Sequence, residues 1–126
     1  MAVIALIDDD SDIVDAISLV LTSKNYNVVT ASNADDGFKL VKEKSPDLII
    51  LDVMMNEQDD GFFLAQKLRR ENVSAPILML TSVSKSTGMD YRPGEILPVD
   101  EFVEKPITPL KLLENVERLL TLKAKE

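Results

Sequence analysis

The sequence predicts an α/β fold in which a parallel sheet is wound with helices on both faces. Apolar runs alternate with helical periodicities from end to end, giving five βα units. The runs Ala2-Val-Ile-Ala-Leu-Ile7 and Leu48-Ile-Ile-Leu51 are apolar along their whole length, as central strands covered on both faces must be. Each of these runs then stops in aspartate, at Asp8-Asp9-Asp10 and at Asp52. With 126 residues, 45% of them hydrophobic, the chain is sized for one domain over residues 1–126, with a core that needs no staples.

After the first strand, Asp10 or Ser11 can cap a helix whose apolar positions Ile13, Val14, Ile17, Val20 and Leu21 recur at helical spacing and end near Lys24-Asn25. Residues 26–31 read as the second strand. Ser32-Asn-Ala-Asp35 resembles a capping box for a second helix carrying Phe38, Leu40 and Val41, which Ser45-Pro46 closes ahead of the third strand. A third helix with Phe62, Leu64, Ala65 and Leu68 precedes Asn72, and Pro76-Ile-Leu-Met-Leu80 is a fourth buried strand ending in Thr81-Ser82. Asp100-Glu-Phe-Val-Glu-Lys105 is the fifth. In the last helix, Thr108 is the N-cap, Pro109 takes the first helical position, and Leu110, Leu113, Val116 and Leu120 make an apolar stripe. Residues 82–98 break the rhythm. Gly88, Pro93, Gly94 and Pro98 fall where the fourth helix belongs, which predicts a short or irregular helix there.

A formal net charge of -8 argues against a surface that neutralises phosphates, so nucleic acid is not expected as a direct partner. No basic leader precedes the first strand and no apolar run reaches bilayer length, so membrane insertion is not expected and the chain reads as cytoplasmic. Zero Cys agrees with a reducing compartment without requiring one.

In parallel sheets ligands bind beyond the carboxyl ends of the strands. Two carboxylates about 4 Å apart there repel by roughly 4 kcal/mol at an effective dielectric of ~20, so a cation belongs between them. With neither His nor Cys in the chain, an all-oxygen site suits a hard divalent cation such as Mg²⁺. Taken alone, Asp8 and Asp9 read as acidic residues favoured at a helix N-terminus. Asp52, a second acidic strand end beside the first, shifts the reading to a cation site. Thr81 alone reads as a turn or cap residue and Lys105 as a solvated lysine, yet both fall on the same rim.

As a set these residues resemble the receiver domain of two-component response regulators, including the chemotaxis type. The resemblance spans nearly the whole chain. It rests on Asp8-Asp9, on Pro46-Asp-Leu-Ile-Ile-Leu-Asp52 with Val53-Met54-Met55, on Leu80-Thr81, and on Glu104-Lys105-Pro106. It implies a doubly wound, flavodoxin-like, five-stranded parallel sheet in the order 2-1-3-4-5. By position it implies Asp52 as phosphoacceptor and Asp9 as a direct Mg²⁺ ligand, with Asp8 acting mainly through metal-bound water. Met54 would lend its backbone carbonyl to the ion, and Thr81 and Lys105 would each contact a phosphoryl oxygen. Phe102 matches an aromatic switch position, although a ring packed permanently in the core fits the sequence equally well. The Lys105-Pro106 bond is similar to one that is cis in the family. Implied partners are a histidine kinase or histidine phosphotransfer protein and an unidentified protein target, with no output domain following. No enzymatic activity is expected beyond the self-catalysed phosphorylation and dephosphorylation of the aspartate.

The loop after Asp52 departs from the family pattern. Asn56 stands where a proline is usual, and Asp60-Gly61 sits one residue late. Two other readings use the same residues. A receiver-like module that binds without being phosphorylated needs none of the acidic set, and a Mg²⁺-dependent small-molecule phosphatase would want a second Asp where Met54 stands.

Overall fold

Five short runs pair into one parallel sheet, the central three almost wholly aliphatic: β1 (Val3–Ile7), β2 (Asn27–Ala31), β3 (Leu48–Asp52), β4 (Ile77–Thr81) and β5 (Glu101–Glu104). Their order is β2-β1-β3-β4-β5, as the resemblance implies. The computed structural model describes residues 2–53, 60–81, 99–104 and 107–124. Among these lie four helices: α1 (Ser11–Thr22), α2 (Ala34–Lys44), α3 (Asp60–Arg70) and α4 (Pro109–Ala124). The helix expected to be short or irregular falls on residues 82–98, outside the described residues.

Side chains alternate across a strand, so each strand feeds two cores. On one face Ala5, Ile7, Ile49, Leu51, Ile77 and Met79 meet Val41 of α2 and Leu64, Ala65 and Leu68 of α3. On the other, Ile4, Leu6, Leu48, Ile50, Leu78 and Leu80 meet Ile17 and Leu21 of α1 and Leu112, Val116 and Leu119 of α4. Each fully buried Leu or Ile contributes roughly 1.5–3 kcal/mol relative to exposure, which is why β1, β3 and β4 tolerate so few polar residues.

Three local expectations are corrected. In α4 the buried positions are Leu112, Val116 and Leu119, with Leu113 and Leu120 beside them, while Leu110 lies 70% exposed. Successive helical residues turn by about 100°, so a stripe centred on Val116 leaves position 110 about 120° around the helix, outside it. Tyr26 lies in the turn that follows α1 rather than in the second strand. Asn25 takes a left-handed conformation (φ 68°) and the Tyr26 amide returns to the Leu21 carbonyl at 3.2 Å, a termination that Asn tolerates better than most residues. Burial, and then the Glu117 carboxylate, push the Tyr26 phenol above its usual range. The cap of α2 is Asn33 rather than Ser32: its Oδ1 accepts the Asp36 amide at 2.8 Å, and its Nδ2 donates to Asp36 Oδ2 at 3.0 Å. At α4 the expected cap is present, with the Lys111 amide donating to Thr108 Oγ1 at 3.2 Å.

Candidate functional site

The strand order places β1 between β2 and β3, so the chain leaves β1 first to one side and later to the other. Crossovers on opposite sides open a crevice at the carboxyl ends of β1 and β3. Ile7 pairs with Leu51, which sets Asp8, one residue past β1, beside Asp52, the last residue of β3. Asp52 pairs in turn with Leu80, and Thr81 with Glu104. One rim therefore carries Asp8, Asp9, Asp52 and Thr81, with Phe102 two residues back from the end of β5. Lys105 follows Glu104 directly in sequence; Lys105, Met54 and the Lys105-Pro106 bond lie outside the described residues, so their expected roles are not placed.

The run Asp8-Asp9-Asp10 divides its work. Asp10 is the N-cap of α1, its Oδ1 accepting the amides of Asp12 at 3.0 Å and Ile13 at 3.4 Å. That settles the choice between Asp10 and Ser11. Asp8 is buried at 1% exposure and accepts the Asp10 amide at 2.9 Å, which orients its carboxylate against the helix start. Asp9 is exposed. Asp52 is buried at 4% exposure, and one oxygen from each of Asp8, Asp9 and Asp52 lies within 4.8 Å of the others. Three anionic oxygens so close, two of them on buried residues, form a donor set fitted to a hard divalent cation. Next to it a cleft of about 500 Å³ between α1 and α2 adds Asp15, Asp36 and Glu43, with Lys39 as the cation among them.

Thr81 is partly buried at the end of β4. Phe102 is partly buried and packs against the core layer shared with α2 and α3. A residue the sequence suggested only as a helix start is Gly61: its amide donates to the Val53 carbonyl at 2.9 Å, against the end of the Asp52 strand. The Asp60-Gly61 pair was visible as a signal, but its contact depends on how α3 meets β3, which no local pattern encodes.

A family model described as the response regulator receiver domain matches residues 4–117. The chain belongs to the response regulator receiver family. The alkaline phosphatase synthesis transcriptional regulatory protein PhoP of Bacillus subtilis is 34% identical over 117 residues, covering 93% of this receiver and 48% of that protein. Transcriptional regulatory protein AfsQ1 of Streptomyces coelicolor is 38% identical over 107 residues, covering 85% of this receiver and 46% of its own length. The receiver thus spans about half the length of these curated relatives, and the expectation that no output domain accompanies it finds no support in them. A CheY-like receiver domain from Methanospirillum hungatei superposes with a TM-score of 0.84 at 21% identity, over 99% of this chain and 98% of that one, a likeness of fold alone. No described helix is long and apolar enough to cross a membrane.

Proposed function

We propose that this receiver is a phosphorylation-dependent signalling switch with Asp52 as phosphoacceptor and a histidine kinase or histidine phosphotransfer protein as donor. The observation that carries the reading is the convergence of Asp8, Asp9 and Asp52 within 4.8 Å at the carboxyl ends of two adjacent strands. A carboxylate oxygen of Asp52 attacks phosphorus in line. The new O–P bond forms as the P–N bond of the phosphohistidine breaks, and its electron pair leaves with the imidazole. Asp8, Asp9 and Asp52, with the Met54 carbonyl, would hold Mg²⁺, which when bound offsets negative charge on acceptor and phosphoryl group alike. Asp8 helps fix that arrangement because the Asp10 amide at 2.9 Å restrains its carboxylate. The Thr81 hydroxyl donates to a phosphoryl oxygen, and the Lys105 ammonium pairs with another. Phe102 responds to the movement of Thr81 by turning its ring, which changes the β5 surface that a protein target meets. The net charge of -8 favours protein partners over direct contact with nucleic acid, and the reading places the receiver in the cytoplasm.

The test is intact mass after incubation with acetyl phosphate, with and without Mg²⁺, for the wild type and Asp52→Asn. A gain of one phosphoryl group that requires both Mg²⁺ and Asp52 is expected. No gain in the wild type, together with failure to bind beryllofluoride, would overturn the proposal in favour of a receiver that binds without being phosphorylated.

A further inference from the structure

We propose that Gly61 is a positioning residue for the acceptor: it lets the first turn of α3 rest on the backbone of β3 at Asp52, and thereby fixes where the Asp52 carboxylate stands. The proposal rests on the reading of Asp52 as phosphoacceptor.

The first amides of a helix have no intrahelical partner. The Gly61 amide is given to the Val53 carbonyl at 2.9 Å, while the Val53 amide donates to the Leu80 carbonyl at 2.9 Å. Val53 is fully buried, so the residue after Asp52 is held from both sides, by β4 and by α3. A Cβ on Gly61 would overlap the Asp52 carbonyl oxygen, and would come within 2.7 Å of the Asp52 carbonyl carbon and 2.8 Å of Val53 Cα. All three atoms are backbone. They lie at the end of a strand paired with β1 on one side and β4 on the other, and Val53 beyond it is bonded to Leu80, so they have little freedom to step aside.

Gly37 in α2 supplies the internal control. The nearest atoms to a Cβ there are Cδ1 and Cγ2 of the buried Ile7 side chain, at 2.9 Å each, so the substitution presses on a side chain rather than on the backbone of β3. Both glycines sit where a helix approaches a strand of the sheet, but only Gly61 touches the peptide of the acceptor. Alanine at 61 must therefore lift α3, which releases its hold on Val53 and loosens the end of β3, or push the Asp52 peptide, which moves the carboxylate relative to Asp8 and Asp9.

The experiment uses the full chain as wild type, Gly61→Ala and Gly37→Ala, each shown folded by circular dichroism at the assay temperature. The readout is the phosphorylation rate constant at saturating acetyl phosphate and Mg²⁺. Misplacement of reacting groups by about 1 Å costs on the order of 100-fold, so Gly61→Ala is expected to slow the step roughly 10- to 100-fold. The acetyl phosphate concentration giving half the maximal rate should hold steady, and Gly37→Ala, which does not touch the β3 backbone, should slow the step far less than Gly61→Ala. A purely structural role would lower the melting midpoint of Gly61→Ala while leaving the rate of the folded protein unchanged, and that result overturns the proposal. Should Gly61→Ala not fold, amide exchange in the wild type decides: the Gly61 amide should be as protected as that of Leu51, and exchange typical of a fraying first turn overturns it. A wild type that gains no phosphoryl group rejects the acceptor assignment itself, a separate outcome.

Discussion

At the amino end of the sheet Asp47 Oδ2 accepts the Val3 amide at 2.8 Å, and Asp100 Oδ2 accepts the Ile77 amide at 2.8 Å and the Arg69 guanidinium at 2.9 Å, whereas at the carboxyl end Asp8, Asp9 and Asp52 turn oxygens to within 4.8 Å of one another. The same residue type serves opposite ends in opposite ways. Arg69 extends the amino-end net by donating to the carbonyls of Val73 and Ala75, at 2.8 Å each, so one guanidinium ties α3, the entry to β4 and the entry to β5 together. Hydrogen bonds to charged groups contribute roughly 1.5–3 kcal/mol, which makes the amino end a source of stability. At the carboxyl end the Asp10 amide orients the Asp8 carboxylate. Three carboxylate oxygens gather there as a donor set that suits a cation, so this fold keeps the carboxylates that tie its strands together a strand's length away from those that cluster.

Metal linkage separates the two ends of the sheet most strongly. Mg²⁺ at a hundredfold excess over its dissociation constant should stabilise the wild type by about 2.7 kcal/mol, because it binds the folded chain alone. Asp52→Asn should lose most of that gain, and Asp100→Ala should keep it. Urea unfolding of the three proteins with and without Mg²⁺ checks this, and equal gains in all three would mean that the ion does not use the carboxyl-end cluster.

Next in size is the amino-end clamp. Asp100→Ala leaves the amide of fully buried Ile77 without its acceptor and removes a partly exposed ion pair, whose side chains are 29% and 44% exposed. The buried donor dominates and the ion pair adds little, so a loss of about 2 kcal/mol is expected. Urea midpoints in Mg²⁺-free buffer measure it. A change smaller than that of an exposed control substitution would show that the clamp is not a stabilising net.

The two ends were not equally legible in the sequence. Asp8 and Asp52 stood out because each terminates an apolar strand, and strand order alone brings such ends together. Asp47 and Asp100 also border strands, but each lies before its strand, where an acidic residue next to a turn carries no distinctive signal. Arg69 reads as one more cation in the last turn of a helix. Its bonds to residues 73, 75 and 100 depend on how α3 ends, at Asn72 with φ 65°. The α4 stripe was misjudged at Leu110 for a related reason. Leucine occurs at 110, 112, 113, 119, 120 and 122, so the sequence offers more than one apolar face, and packing on β1, β3 and β4 selects the face carrying Leu112, Val116 and Leu119. Gly61 was legible as punctuation, not as a contact with the end of β3.

The smallest expected effect has the most informative sign. Asp9 is exposed and shares the cluster with two buried carboxylates, so Asp9→Asn removes like-charge repulsion while leaving both buried side chains in place. Without divalent ions the substitution should stabilise the chain, by no more than about 1 kcal/mol given solvent screening at an exposed position. The gain should shrink as salt is raised, because the Debye length falls from about 10 Å at 0.1 M to about 3 Å at 1 M. The loss in Asp100→Ala should hardly respond to the same change, since an amide hydrogen bond, rather than distant charge, dominates it. Urea midpoints of both variants at low and high NaCl therefore separate the two ends by sign and by salt dependence. If Asp9→Asn were destabilising at low salt, the carboxylate would already be engaged in a favourable contact, and the carboxyl end would be a second clamp rather than a store of negative charge.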